Sequence, residues 1–245
     1  MAGSRTVVGV DGCRAGWVCA VRSADGLSVR IEPDFESVWE RARTADVVVV
    51  DIPIGLPTDD RRQCDYEARR RLGARASTVF FAPVRSVLDA PSHECASERN
   101  RDSTGFGLSI QAWNLVPKIR AVDSVLQSDS LARRQVREAH PELAFAAFAG
   151  EPLTESKSTP EGRQRRLDVL RTAFPDDDVA SVYHETLAET LRRDVARDDI
   201  LDALILAAAA RHPLDTLPES PPRDATGLQM AIHVPRVQSD GRKLS

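Results

Sequence analysis

Runs of β-branched and alternating residues dominate the first fifty positions. Thr6 to Val10 predicts a buried strand ending at Asp11-Gly12. Trp17 to Val21 predicts a second, reached through the turn-like Cys13-Arg14-Ala15-Gly16. Leu27, Val29 and Ile31 alternate with polar residues after Asp25-Gly26, a hairpin signal that predicts a third strand. These three strands are expected to be antiparallel. Phe35, Val38, Trp39 and Ala42 then recur at helical spacing, with Asp34 as the N-cap. Ala45 to Val50 contains four consecutive valines, the pattern of a strand covered on both faces, and Pro53 stops it.

Beyond Pro53 the spacing predicts a helix over 64–72, an extended stretch over 77–81 and a polar, partly mobile stretch over 89–108. A helix follows over 110–127, disturbed by Pro117. Val136 to Ala139 predicts a short strand, followed by His140-Pro141-Glu142 and a small helix over 143–149. Helices are expected over 162–173, 179–195 and 199–211, the last with an alanine-rich face. The four prolines of 213–223 predict a linker, and Met230 to Val234 a final strand. The element order is that of a mixed α/β sheet with helices on both faces, in one domain over 1–237 with an insertion around 54–135 and a loose tail over 238–245. A right-handed crossover sets the valine strand beside the first, so their carboxyl ends become neighbours, where open α/β sheets bind ligands.

Composition narrows the field. The 245 residues are 42% hydrophobic and 29% charged, which excludes a disordered or fibrous chain. The first residues lack the apolar stretch of a signal peptide. The longest apolar run, 203–210, is far short of the roughly 20 residues that span a bilayer. A cytoplasmic location is expected, with the four cysteines reduced, since they form no CxxC pair. Only Lys118, Lys157 and Lys243 among the 33 basic residues are lysines. The net charge of −4 argues against a broad duplex-binding face but hides an uneven distribution. Residues 61–85 carry seven arginines and two acids, whereas 176–202 carry nine acids and three arginines.

The candidate chemistry is a set of carboxylates. Asp11 and Asp51 each follow a buried strand and are brought side by side by the crossover. Two such groups repel unless a cation lies between them, and Mg²⁺ or Mn²⁺ prefers oxygen ligands of this kind. Each alone reads better as a turn cap, and it is the pair at neighbouring strand ends that points to a metal. Asp198, Asp199 and Asp202 share a helix face, with Asp198 the expected N-cap. Asp202 lies beyond the first turn among Ile200, Leu201, Ala203 and Leu204, where capping does not account for it. Glu142 is either a further carboxylate donor or a helix-starting residue, and His140 a proton carrier or a turn residue. Lys157 is either a partner for phosphate or carboxylate or a solvated side chain. The arginines of 61–85 suit phosphate recognition or a solvated helix face. No phosphate loop, GxGxxG fingerprint, nucleophile elbow or HExxH motif is present.

VGVDGCRAGWV at 8–18, DIPIGLP at 51–57, RRQCDYEARRRLGARASTVFFAPVR at 61–85, HPELAF at 140–145, KSTPEG at 157–162 and RDDILDALILAAAA at 197–210 together resemble domain-of-unknown-function family 429. The likeness runs from about residue 6 to 235. Phe80-Phe81-Ala82-Pro83 stands where the family usually has Phe-Pro-Ala-Pro, a departure in a loop that leaves the carboxylates alone. The resemblance implies a nuclease of the RNase H-like fold, with strand order 3-2-1-4-5. It also implies an acidic centre of Asp11, Asp51 and Asp199 or Asp202, with Glu142 as an extra.

The expected function is a metal-dependent nuclease or phosphodiesterase. Asp11, Asp51, Asp199 and Asp202 would hold Mg²⁺ or Mn²⁺, and Glu142 would assist. Arg14, Arg75, Arg85 and Lys157 would bind the phosphates of a nucleic acid or nucleotide. Two rivals keep the architecture: an actin-like ATP-binding protein with Asp11-Gly12 as its first turn, and a non-catalytic interaction module. A single sheet domain weighs against the first, because actin-like kinases need two.

Overall fold

The computed structural model describes residues 5–237; the expected tail over 238–245 lies outside them. β1 (Val7–Cys13), β2 (Gly16–Ser23) and β3 (Gly26–Glu32) form an antiparallel meander. Helix α1 (Phe35–Ala42) leads into β4 (Val47–Val50), which pairs in parallel with β1. Asp34 caps α1 as expected, accepting the Ser37 N–H at 2.8 Å. With β5 (Val136–Glu138) parallel to β4, the sheet order is β3-β2-β1-β4-β5, the expected mixed α/β topology.

Between β4 and β5 lie α2 (Gln63–Leu72), α3 (His93–Thr104), α4 (Ile110–Ser128) and α5 (Ser130–Gln135). After β5 come α6 (Pro141–Ala149), α7 (Pro160–Ala173), α8 (Val179–Glu189) and α9 (Arg197–Ala210). A second, two-stranded sheet joins β6 (Leu214–Leu217) to β7 (Ile232–Pro235). One sheet face packs Val8, Val10, Val48 and Val50 against α1 and α4. On the other, Val18 and Ala20 meet α9 and α7.

Four expectations are corrected. The extended stretch over 77–81 holds only in part: Ser77 and Thr78 end a 3₁₀ turn, Gly73–Thr78, and the backbone is extended at Val79 without joining a strand. Side chains satisfy the next backbone groups, with Arg69 donating to the Val79 carbonyl and Asp65 Oδ2 accepting from the Ala82 N–H. Residues 89–108 hold α3, capped by Ser92 and ended by left-handed Gly105; only Ala96 and Asn100 of this helix are buried, so no apolar stripe announced it. The proline-rich 213–223 contains β6, whose partner lies fifteen residues downstream. The helix over 179–195 stops at Glu189. Pro117 sits inside a continuous α4.

Two glycines decide how the layers meet. A Cβ at Gly9 would fall 2.1 Å from the Ala207 nitrogen and 2.2 Å from the Ala203 oxygen, so α9 lies directly on β1 there. Gly16, with φ of +139°, turns β1 into β2 where a Cβ would meet the Glu32 carbonyl at 2.1 Å.

Candidate carboxylate centre

Strand periodicity aims the first two carboxylates. On β1, Val7 packs with Leu206 and Ala210 of α9, and Gly9 touches the same helix. Asp11, two residues further, therefore faces α9 as well. On β4, Val49 packs in that cluster, so Asp51 shares its face. Val10 is in register with Val50, and the Asp51 N–H donates to the Val10 carbonyl at 3.0 Å, extending the ladder by one residue. The two aspartates thus stand side by side at the carboxyl ends of neighbouring parallel strands.

Helix α9 supplies the opposing charge. Ala203 and Ala207 lie on β1, and one turn towards the N-terminus the helix presents Asp199 and Asp202. Asp202 is 2% exposed and Asp11 8%. The expected N-cap role of Asp198 is corrected: Ala196 occupies that position. Its N–H is taken by Asp199 Oδ2 at 2.8 Å, so one oxygen of Asp199 serves the helix end. Asp198 lies in the first turn and pairs with Lys157 at 3.3 Å.

The centre carries more negative charge than its neighbours neutralise. Burial, then the charges of Asp202, Asp51 and Asp199, hold Asp11 well above the usual carboxylate range. Burial pushes Asp51 up to about 7, against Lys157 and with help from Glu142. Burial likewise lifts Asp199 and Asp202 to about 6 each. Asp11 Oδ1 accepts the Gly12 N–H at 2.8 Å. Asp202 Oδ2 accepts from Lys157 Nζ at 2.8 Å, while its Oδ1 is buried without a hydrogen-bond partner. Lys157 resolves to the pairing reading, and these contacts raise its pKa despite burial.

Glu142 joins from α6. Its Oε1 accepts from Arg166 Nη2 at 2.5 Å and lies 3.7 Å from Arg75 Nη2, and its Oε2 is buried and unpartnered. His140 proves to be the turn residue: its Nδ1 accepts the Glu142 N–H at 3.2 Å, and its Nε2 faces the Thr78 carbonyl at 3.2 Å. Burial lowers its pKa.

The expected phosphate binders divide. Lys157 and Arg75 reach the centre. Arg14 occupies the exposed β1–β2 turn, three residues from Asp11. Arg85 is elsewhere, a correction: its guanidinium donates to Asp123 at 2.9 and 3.0 Å and to Asp224, none of them in this centre.

Sequence reasoning missed three further groups. Lys118 of α4 donates to the Gly16 carbonyl at 2.5 Å, lies 4.3 Å from the Trp17 ring centroid and is within electrostatic reach of Asp11 and Asp199. Its rarity in an arginine-rich chain was the available signal. Arg163, Arg192 and Arg197, with Lys157, Ser158 and Asp198, line a cleft of about 220 Å³ beside the centre. Arg192 and Arg197 lie in the net-acidic 176–202 segment, and Arg163 is some thirty residues away from them in sequence, so nothing marked the three as a group. Arg62 is sealed beneath the 51–57 loop, donating to both Glu138 oxygens at 2.7 Å and to Asp65 at 2.6 Å, while Glu138 accepts the Ile54 N–H at 2.6 Å.

A hard divalent cation suits this donor set, which is all carboxylate, buried at Asp11 and Asp202 and half-buried at Asp51 and Asp199, under-neutralised and endowed with an unpartnered Asp202 oxygen. Among the described residues, no three carboxylate, imidazole or thiol groups are already drawn into a cage for one ion. Lys157 holds the other Asp202 oxygen, Oδ2.

The fold and centre define an α/β protein with a carboxylate cluster at the carboxyl ends of its parallel strands. The chain belongs to the family described as "Protein of unknown function (DUF429)", whose model matches residues 9–226. Comparisons with curated proteins and with solved structures give no match. Among the described residues no helix is long and apolar enough to cross a membrane.

Proposed function

We propose that this chain is a metal-dependent phosphodiester hydrolase of RNase H-like architecture, acting on nucleic acid or a nucleotide phosphodiester. The observation that carries this reading is the excess negative charge of four aspartates from β1, β4 and α9, which leaves Asp202 Oδ1 buried and unpartnered. Stability alone gives no reason to gather such groups, because each raises the proton affinity of the next. Asp11, Asp51 and Asp202 would hold Mg²⁺ or Mn²⁺, with Asp199 at the edge. Bound there, the cation would acidify a water and polarise the phosphoryl oxygen.

The remaining residues have separable parts. Arg163, Arg192 and Arg197 hold the phosphate through charge-assisted hydrogen bonds. Lys157 occupies the border between this cleft and the carboxylates and neutralises Asp202 until a cation takes over. Arg166 holds Glu142, whose charge acts on Asp51. Arg62 and Glu138 hold the 51–57 loop and so the position of Asp51.

The test incubates wild type and Asp11→Asn with labelled single-stranded DNA, RNA and duplex in Mg²⁺ or Mn²⁺. Metal-dependent cleavage by wild type, lost in the variant, is expected. Equal residual cleavage in both overturns the reading. The Lys157–Asp202 pair favours one rival, a non-catalytic module whose lysine neutralises the acids permanently. In that case millimolar Mg²⁺ or Mn²⁺ gives no thermal shift.

A further inference from the structure

The chain has few aromatic residues, 12 in 245, yet four of them gather on one surface away from the core. Tyr66, Phe80 and Phe106 are 47, 37 and 52% exposed. Phe81 lies among them, its ring centroid 4.8 Å from that of Tyr66. The Arg61 guanidinium sits 4.0 Å from the Phe81 ring and 3.6 Å from that of Phe106, and Arg69 lies 5.0 Å from Phe81. Neither arginine forms an ion pair among the described residues. Arg61, Arg69, Phe80, Phe81, Ser77 and Ser109 line a cavity here of about 380 Å³, within the size range of small-ligand sites.

The surface is pre-ordered. Buried Asn100 accepts the Val84 N–H at 3.1 Å and donates to the Phe106 carbonyl at 2.8 Å, fixing the loops that carry both edges of the patch. Ser97 Oγ accepts the Leu108 N–H at 3.0 Å. A rigid set of exposed rings is unfavourable in water unless something covers it. Its own cations, free of carboxylate partners, select an anionic occupant with flat apolar faces.

We propose that this aromatic–arginine surface binds single-stranded nucleic acid, with unpaired bases stacking on Phe80, Phe106 and Tyr66 and phosphates meeting Arg61 and Arg69. Duplex is disfavoured, because its base faces are already stacked. The 3₁₀ turn at 73–78 runs from α2 to this surface, and on it Arg75 approaches Glu142 and the Thr78 carbonyl faces His140. A strand crossing the surface is therefore led towards the carboxylate centre. The binding itself does not rest on the hydrolase reading.

Fluorescence anisotropy of a labelled oligothymidylate with the full chain in EDTA tests the proposal. Phe80→Ala and Phe106→Ala are each expected to weaken binding about tenfold, within the range for loss of one stacked base. Phe106→Tyr is expected to retain binding, and a duplex of equal length to bind more weakly than the single strand. Exposed positions keep these variants folded, checked by circular dichroism. No binding by wild type, equal affinity of the alanine variants, or loss of self-association in Phe106→Ala during sedimentation overturns the proposal; the last would mark the surface as an interface between copies. Because metal is absent, binding without later cleavage separates failure of the hydrolase reading from failure of this one.

Discussion

Replacing Asp51 with asparagine in metal-free solution probes the unmet charge most directly. Asp51 is displaced from an ordinary 3.8 to about 7, chiefly by burial. Its native-state pKa exceeds the unfolded value, so the native state binds the proton more tightly and is stabilised by it. Below about pH 4 both states are protonated and the full stability is present; it is lost as pH rises through about 7, because the unfolded chain releases the proton first. The displacement corresponds to about 4 kcal/mol at 1.36 kcal/mol per tenfold change in proton affinity, and relaxation of this incompletely buried group reduces that to about 2–4. Asp51→Asn removes the charge and keeps the shape. In thermal unfolding with EDTA the variant is expected to melt about 5–10 °C above wild type at about pH 8, and within about 2 °C at about pH 4. Saturating Mg²⁺ or Mn²⁺ is expected to raise the wild-type melting temperature and leave that of the variant nearly unchanged. A wild type equally stable at both pH values, or a variant destabilised equally at both, refutes the reasoning.

Gly9→Ala drives a methyl into the α9 backbone and is expected to lose about 3 kcal/mol or more, read by urea unfolding, with Asp202 displaced from Asp11. Arg62→Met leaves Glu138 and Asp65 buried without their cation and is expected to lose about 3–5 kcal/mol; the double change with Glu138→Met is expected to lose less than the sum of the two single changes. Lys157→Met frees Asp202 Oδ2 and is expected to tighten Mn²⁺ binding measured by electron paramagnetic resonance; unchanged or weaker binding counts against its role as a resident counter-ion. Arg163→Ala and Arg197→Ala are expected to raise KM for a phosphodiester substrate about tenfold with kcat preserved.

The sheet was largely legible in the chain. Period-two alternation and β-branched runs are local properties, and a right-handed crossover leaves little choice about which strand lies beside β1. Asp11, Asp51 and Asp202 were legible for a related reason: a carboxylate ending an apolar strand, or interrupting an apolar helix, is anomalous without a partner. What escaped was everything that depends on a neighbour distant in sequence. The 77–81 segment is extended in propensity, but its first two residues close the 73–78 turn, and Arg69 and Asp65 rather than a strand satisfy the backbone of Val79 and Ala82. Helix α3 buries too little to leave a stripe, and β6 exists only because β7 pairs with it.

The same division applies to function. By itself the sequence determined that acids end the parallel strands and that arginines cluster in 61–85, because residue type and spacing are local. Only the tertiary structure decided that Lys157 neutralises Asp202, that Arg85 belongs to Asp123 and Asp224, and that Arg163, Arg192 and Arg197 share one cleft. It also decided that Phe81 and Phe106 meet Arg61. Charge acts through space at a few ångströms, and the spacing along the chain does not encode which distant side chains come within that range.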